Sequence, residues 1–153
     1  MAQVSASEAV SMAVGKIEIS TNDSDWDDIS GYGFQVNVSG GARMTGEVYT
    51  HDGETGIPTV GKMEPYELEC VGLYTEDANS PFDTIWTQQT AAGGGDLYVR
   101  YSPDTGTAGD WLFTTGVCVV LACLPPSTDP GSGDPTVFSF TVRTQSVTKT
   151  AIS

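Results

Sequence analysis

The chain contains one histidine, His51, standing beside Asp52 and Glu54. A catalytic histidine needs a nucleophile within hydrogen-bond reach and a third group that orients the ring. No serine, cysteine or threonine is set against His51 by spacing, so it reads as an exposed loop residue. The acids Asp23, Asp25, Asp27 and Asp28 invite a test for calcium. A helix-loop-helix calcium site wants alternating oxygen ligands, glycine at its sixth position and glutamate at its twelfth. Counted from Asp23, the sixth residue is Asp28 and the twelfth is Phe34, so the pattern fails at both places and a solvated acidic turn is expected. Glu67 and Glu69 have the spacing of two carboxylates on one strand face, where a glycosidase pair could stand. Nothing nearby specifies an aromatic sugar platform, and outward acids on a strand are common. Gly40-Gly41 and Gly93-Gly94-Gly95 lack the lysine and the strand-to-helix setting of a phosphate loop, so they read as turns. No catalytic residue, metal site or cofactor site is expected.

Cys70, Cys118 and Cys123 have no metal-type spacing, and all three fall in apolar segments. That pattern indicates buried free thiols made in a reducing compartment. Cys118 and Cys123 are an odd number of positions apart, which on one regular strand places them on opposite faces. The formal net charge is −14, from 20 acidic and 6 basic residues. A protein that grips nucleic acid by its phosphates needs the opposite balance. Acid excess can instead repel DNA, or simply keep a protein soluble, and charge alone does not separate the two. Only 17% of residues are charged against 39% hydrophobic, which suggests that part of the surface is covered by other copies of the chain. No stretch is apolar enough to span a membrane. Met1-Ala2-Gln3-Val4 is not a basic segment leading into an apolar run, so no signal peptide is expected.

The elements follow from periodicity. Val14 to Ser20 alternates apolar and polar residues and predicts a half-buried strand, and Thr21 to Gly31 predicts a turn pinned by Trp26 and Ile29. Tyr32 to Ser39, with Phe34, Val36 and Val38 inward, and Ala42 to Thr50 flank Gly40-Gly41 and read as a hairpin. His51 to Gly61 reads as a turn-rich insertion, and Met63 to Thr75 as a long strand. One helix is predicted near Pro81 to Gln89, with Ser80 as N-cap, Pro81 in the first position and Asp83 two residues on. Its stripe of Phe82, Ile85 and Trp86 would clamp it to the sheet. Strands are then predicted over Asp96 to Ser102, over Asp110 to Leu124 with a bend at Gly116, and over Thr136 to Val147. Val117 to Leu124 is apolar on both faces and should be covered on both. The sum is an all-β chain, an antiparallel sandwich or barrel with one flanking α-helix. Residues 1–13 are expected to be a flexible arm, and 14–153 a single β domain with an extended loop over 51–65.

From Gly40 to Ile85 the chain resembles the major tail tube proteins of long-tailed, non-contractile bacteriophages, the lambda-like siphophages in particular. The matching positions begin with Arg43, Gly46, Tyr49, Asp52 and Gly53 on a strand and its turn. They continue through Gly61, Lys62, Pro65, Glu67 and Leu68, and end with Tyr74, Thr75, Glu76, Pro81 and Phe82. The segment Ile17 to Ser30 fits the opening of the same pattern, while the later strands agree in style only. The core of the likeness covers roughly a third of the chain, and order and spacing carry it more than any single residue.

The resemblance implies a structural virion subunit whose hexameric rings stack into a hollow tail tube. Genome DNA would pass through an acidic lumen without specific binding. It implies His51, Asp52, Gly53, Ile57, Val60, Lys62 and Pro65 as contacts to a neighbouring subunit or the next ring. It further implies tape measure, tail tip and tail terminator proteins as partners, no membrane, and assembly in the host cytoplasm. A head–tail joining or capsid decoration protein would share the acidic β composition. An extracellular β-sandwich binding module would call for a secretion signal and paired cysteines.

Overall fold

The computed structural model describes residues 15–153, together with Gln3, Ala9 and Val10. The arm expected over 1–13 therefore lies almost wholly outside the described residues. Among the described residues, eleven strands and one α-helix follow in this order: β1 (Lys16–Ser20), β2 (Asp27–Asp28), β3 (Gln35–Gly40), β4 (Arg43–Val48), β5 (Ile57–Met63), β6 (Tyr66–Leu73), α1 (Pro81–Thr90), β7 (Tyr98–Ser102), β8 (Trp111–Thr115), β9 (Cys118–Leu124), β10 (Val137–Thr144) and β11 (Val147–Ala151). One sheet has the order β11-β8-β7-β1-β2, a second has β3-β6-β10-β9, and β4-β5 form a separate ribbon. Every strand pairing is antiparallel. The expected all-β architecture with one helix is thus what the chain adopts.

Alternation builds the core. Ile17, Ile19 and Val99 face inward from the five-stranded sheet, and Leu68, Cys70, Phe138, Phe140 and Val142 from the four-stranded one. Phe34 meets Phe138 and Phe140 edge-on, with centroids 5.6 and 5.8 Å away. Each such large side chain, fully buried, stabilises by about 1.5–3 kcal/mol. Helix α1 closes the core beside β9: Ile85 is buried, and Phe82 packs edge-on against Tyr74 at 5.1 Å and Phe138 at 5.2 Å. Trp86 stacks on Phe82 at 5.7 Å but stays 37% exposed. The helix starts where Ser80 Oγ accepts the Asp83 N–H, with Pro81 following the cap. It ends where Gly93 and Gly94 turn at φ of 76° and 80° and the Gly95 N–H returns to the Gln88 carbonyl at 2.8 Å.

Two stretches expected to be single strands each divide between the sheets. Asp110 to Leu124 becomes β8 in one sheet and β9 in the other, broken at Gly116, and Thr136 to Val147 becomes β10 and the start of β11. The two crossings are adjacent and tied together. The Gly116 N–H donates to the Ser146 carbonyl at 2.9 Å, and buried Thr144 donates from Oγ1 to the carbonyls of Ser146 and Val117. Buried Thr115 Oγ1 accepts the Val99 N–H at 3.0 Å and the Cys118 thiol at 3.2 Å. Two threonine hydroxyls thereby satisfy backbone groups that a strand loses when it leaves its sheet.

Candidate assembly surfaces

The hairpin expected between Tyr32–Ser39 and Ala42–Thr50 does not form. Strand β3 pairs with β6, and β4 with β5. These two ladders are consecutive parts of one long hairpin, linked by Gly41 N–H to the Pro65 carbonyl at 3.2 Å and Glu64 N–H to the Ala42 carbonyl at 2.8 Å. Gly40 and Gly41 kink its outgoing arm, with φ of 76° and 70°. A side chain at Gly40 would strike the Pro65 carbonyl, and one at Gly41 the Tyr66 ring, so the double glycine is demanded by both conformation and space. Beyond the kink the ribbon continues alone, past the end of the sandwich at Tyr66.

The ribbon corrects the expected loop over 51–65, because Ile57–Met63 is a strand. Pro58 hid it, since proline is excluded from central strands; in a two-stranded ribbon no third strand needs its missing N–H. Val48 and Ile57 are register partners on one face, and Val60, opposite Thr45, lies on the other. Ile57 and Val60 therefore point in opposite directions, and both are exposed, Val60 at 72%. Met44 and Met63 are exposed as well. A ribbon apolar on both faces has nowhere in its own chain to bury them. At the tip, His51, Asp52 and Gly53 lie in the turn, where the Tyr49 hydroxyl donates to Glu47 at 2.8 Å and the Tyr49 ring covers Gly56. At the base, Gly61 and Lys62 stand opposite the single residue Met44 as a bulge, Arg43 donates to the Gly61 carbonyl at 3.0 Å, and Pro65 sits in the kink.

A second uncovered surface is the edge strand β9. Expected to be covered on both faces, it is covered on one, leaving Val117, Val119, Leu121 and Leu124 exposed, Val119 at 65%. Its register shifts between Thr141 and Val142 of β10, so one extra β9 residue is accommodated and the alternation inverts. Cys118 and Cys123, expected on opposite faces, both point into the core for this reason. All three thiols are free. Burial pushes Cys70 up to about 12 and Cys123 up to about 11, and raises Cys118 as well, so none is poised as a nucleophile.

The outer face of the four-stranded sheet grades from polar at β3 to apolar at β9. One row runs Ser39, Glu67, Arg143, Val119, and the next begins Asn37, Glu69, Thr141. Its ion pair is Arg143 to Glu67 at 3.0 Å. Elsewhere Arg100 bonds Glu18 at 3.0 Å and lies over the Trp26 ring, while Lys149 lies over Trp111. In the acidic turn, Asn22 Oδ1 accepts the N–H groups of Ser24 and Asp25, and Ser30 donates to Asp28, holding that carboxyl below the usual range. Among the described residues no group of three or more metal-ligating side chains is placed to hold an ion, and no helix is long and apolar enough to cross a membrane.

Chains from phage-like tail assemblies have a fold similar to this sandwich. Solved structures share it over nearly the whole chain. A protein of the PVC extracellular contractile injection system, solved as a sheath-tube complex in the extended state, aligns with a TM-score of 0.66, 14% identity, and coverage of 98% of this chain and 100% of that one. A chain from the PVC sheath/tube terminator aligns at 0.66 and 16% identity over 94% and 97%. A chain from the anti-feeding prophage tube terminating cap aligns at 0.67 and 12% over 98% and 96%. These neighbours belong to a sheath-tube complex and a tube terminating cap. They come from contractile systems, whereas the sequence resemblance pointed to the non-contractile group, which these likenesses do not single out. No protein-family model matches the chain, and no curated protein matches it.

Proposed function

We propose that the chain is a structural subunit of a phage-like tail, building hexameric rings that stack into a hollow tube for DNA. The observation that carries this reading is the four-stranded sheet with its two free edges, β3 and β9, the latter bearing exposed Val119, Leu121 and Leu124. An exposed, apolar edge strand invites pairing with another chain. Joining β9 of one copy to β3 of the next is a heterologous contact, and such contacts close into a ring when the rotation permits. The sheet would then run continuously around a lumen, with Glu67 and Glu69 on its polar face. With 20 acids against 6 bases, such a wall repels phosphate and lets DNA slide.

The motif from Gly40 to Ile85 supports a sheathless, siphophage-type tube. The likeness to a terminator and a cap favours a second reading, in which the protein forms one ring that ends a tube. Negative-stain electron microscopy of the concentrated protein separates these. Hollow tubes with a regular ring repeat are expected of a tube subunit, and single rings of a terminator. Monomers under all conditions, even with tail-tip extract added as nucleus, would remove both. The tape measure and tail tip proteins are the partners this reading requires.

A further inference from the structure

Four strands stand at the edges of the two larger sheets, and their charges divide by sheet. β3 and β9 hold no charged residue, whereas in the five-stranded sheet β2 consists of Asp27 and Asp28, and β11 carries Lys149. Charge on an edge strand discourages backbone pairing, so the four-stranded sheet is open to another copy and the five-stranded sheet is guarded. The connections fix where these edges lie. Only Ile29 to Phe34 separate β2 from β3, while Gly116-Val117 join β8 to β9 and Gln145-Ser146 join β10 to β11. One flank of the sandwich therefore bears β3 and β2, and the opposite flank bears β9 and β11. When β9 of one copy meets β3 of the next, β11 of the first is brought to β2 of the second.

We propose that Lys149 of one copy engages Asp27 of the next, forming a charged latch beside the β9–β3 joint. The inference rests on the ring reading and adds a second contact to it. Register puts both groups on one face of the sheet. Lys149 lies opposite Phe113, Phe113 opposite Tyr101, and Tyr101 opposite Ile17. Ile19, on the same face of β1, lies opposite Asp27. Both side chains are exposed, and Lys149 is held over the exposed Trp111 ring, 4.1 Å from its centroid. Lys16, Arg100 and Arg143 each pair with a carboxylate of their own chain. Outside the ribbon, Lys149 is the one basic residue that forms no ion pair among the described residues, and Asp27 forms none either. Two-residue β2 is too short to extend the sheet, so side chains carry this contact. Their signs also set orientation. An apolar edge such as β9 could pair with its own copy in a two-fold dimer, but that would bring Lys149 against Lys149. Opposite charges on opposite flanks favour the head-to-tail ring instead.

The test uses the full chain and two readouts. Lys149→Asp should raise the concentration at which rings form by roughly tenfold, and Asp27→Lys in the same chain should restore it. A chain carrying Lys149→Cys and Asp27→Cys should give a ladder of cross-linked multimers when its rings are oxidised. The two positions stand at opposite edges of a five-stranded sheet, about 19 Å apart, too far for a disulfide within one chain. The native cysteines are buried and give little background. Wild-type protein that never forms rings would overturn the ring reading and the latch with it. Wild-type rings that give no ladder from the cysteine pair, or Lys149→Asp chains that assemble as readily, would overturn the latch alone. So would a charge swap that fails to restore assembly, since the loss would then come from uncovering Trp111.

Discussion

At Ser80 one buried hydroxyl accepts the Asp83 N–H and thereby starts the only α-helix among the described residues. Removing such a cap costs about 1 kcal/mol, so Ser80→Ala should lower the unfolding free energy by that amount, read as a lower urea midpoint at unchanged slope. The thiols make a second prediction. Cys70 is buried beside Phe140, and its ionisation is pushed from 9.0 to about 12. A raised group contributes stability that is whole below its unfolded value and is lost as pH climbs through its folded one. The protein should therefore lose stability progressively between about pH 9 and 12, and Cys70→Ala should remove part of that slope, followed by circular dichroism. Asp28 works in the other direction. Its lowered carboxyl contributes above the usual aspartate range and is lost as pH falls through the folded value, a small effect at an exposed site.

Elements legible in the sequence were those whose pattern is local. Helix α1 was readable because cap, proline and apolar stripe lie within ten residues, and β1 and β7 because alternation alone defines them. What stayed hidden was pairing. Ala42 to Thr50 looked like the partner of Tyr32 to Ser39 because two glycines separated them, yet Gly40-Gly41 bends one arm of a longer hairpin without reversing it. The return arm includes β5, masked by Pro58. The bulge that turns both Cys118 and Cys123 inward adds no sequence signal, since Val117 to Leu124 is apolar throughout. That same run was expected to be covered on both faces, and the single chain covers one. Val119→Lys follows from this: 65% exposed, it should change folding stability by no more than about 0.5 kcal/mol while abolishing ring formation in size-exclusion chromatography.

On the scale of the whole molecule, the chain is complete as a folded core and incomplete as a surface. Its sandwich buries Phe140, Leu68 and Val99 fully, while β9 and the ribbon leave two apolar regions open. Large exposed apolar patches on a protein mark contacts with partners. With a net charge of −14, copies repel one another at long range, and assembly depends on short-range contacts that outweigh this. In the proposed ring those contacts are the free sheet edges, and they can be read directly. Amide hydrogen exchange would be compared between the single chain and the assembled particle. The outward N–H groups of β9 and β3 should exchange quickly in the single chain and become protected together on assembly. Particles that form while β9 and β3 exchange as fast as before would contradict the account, because the sheet would then not be what joins one copy to the next.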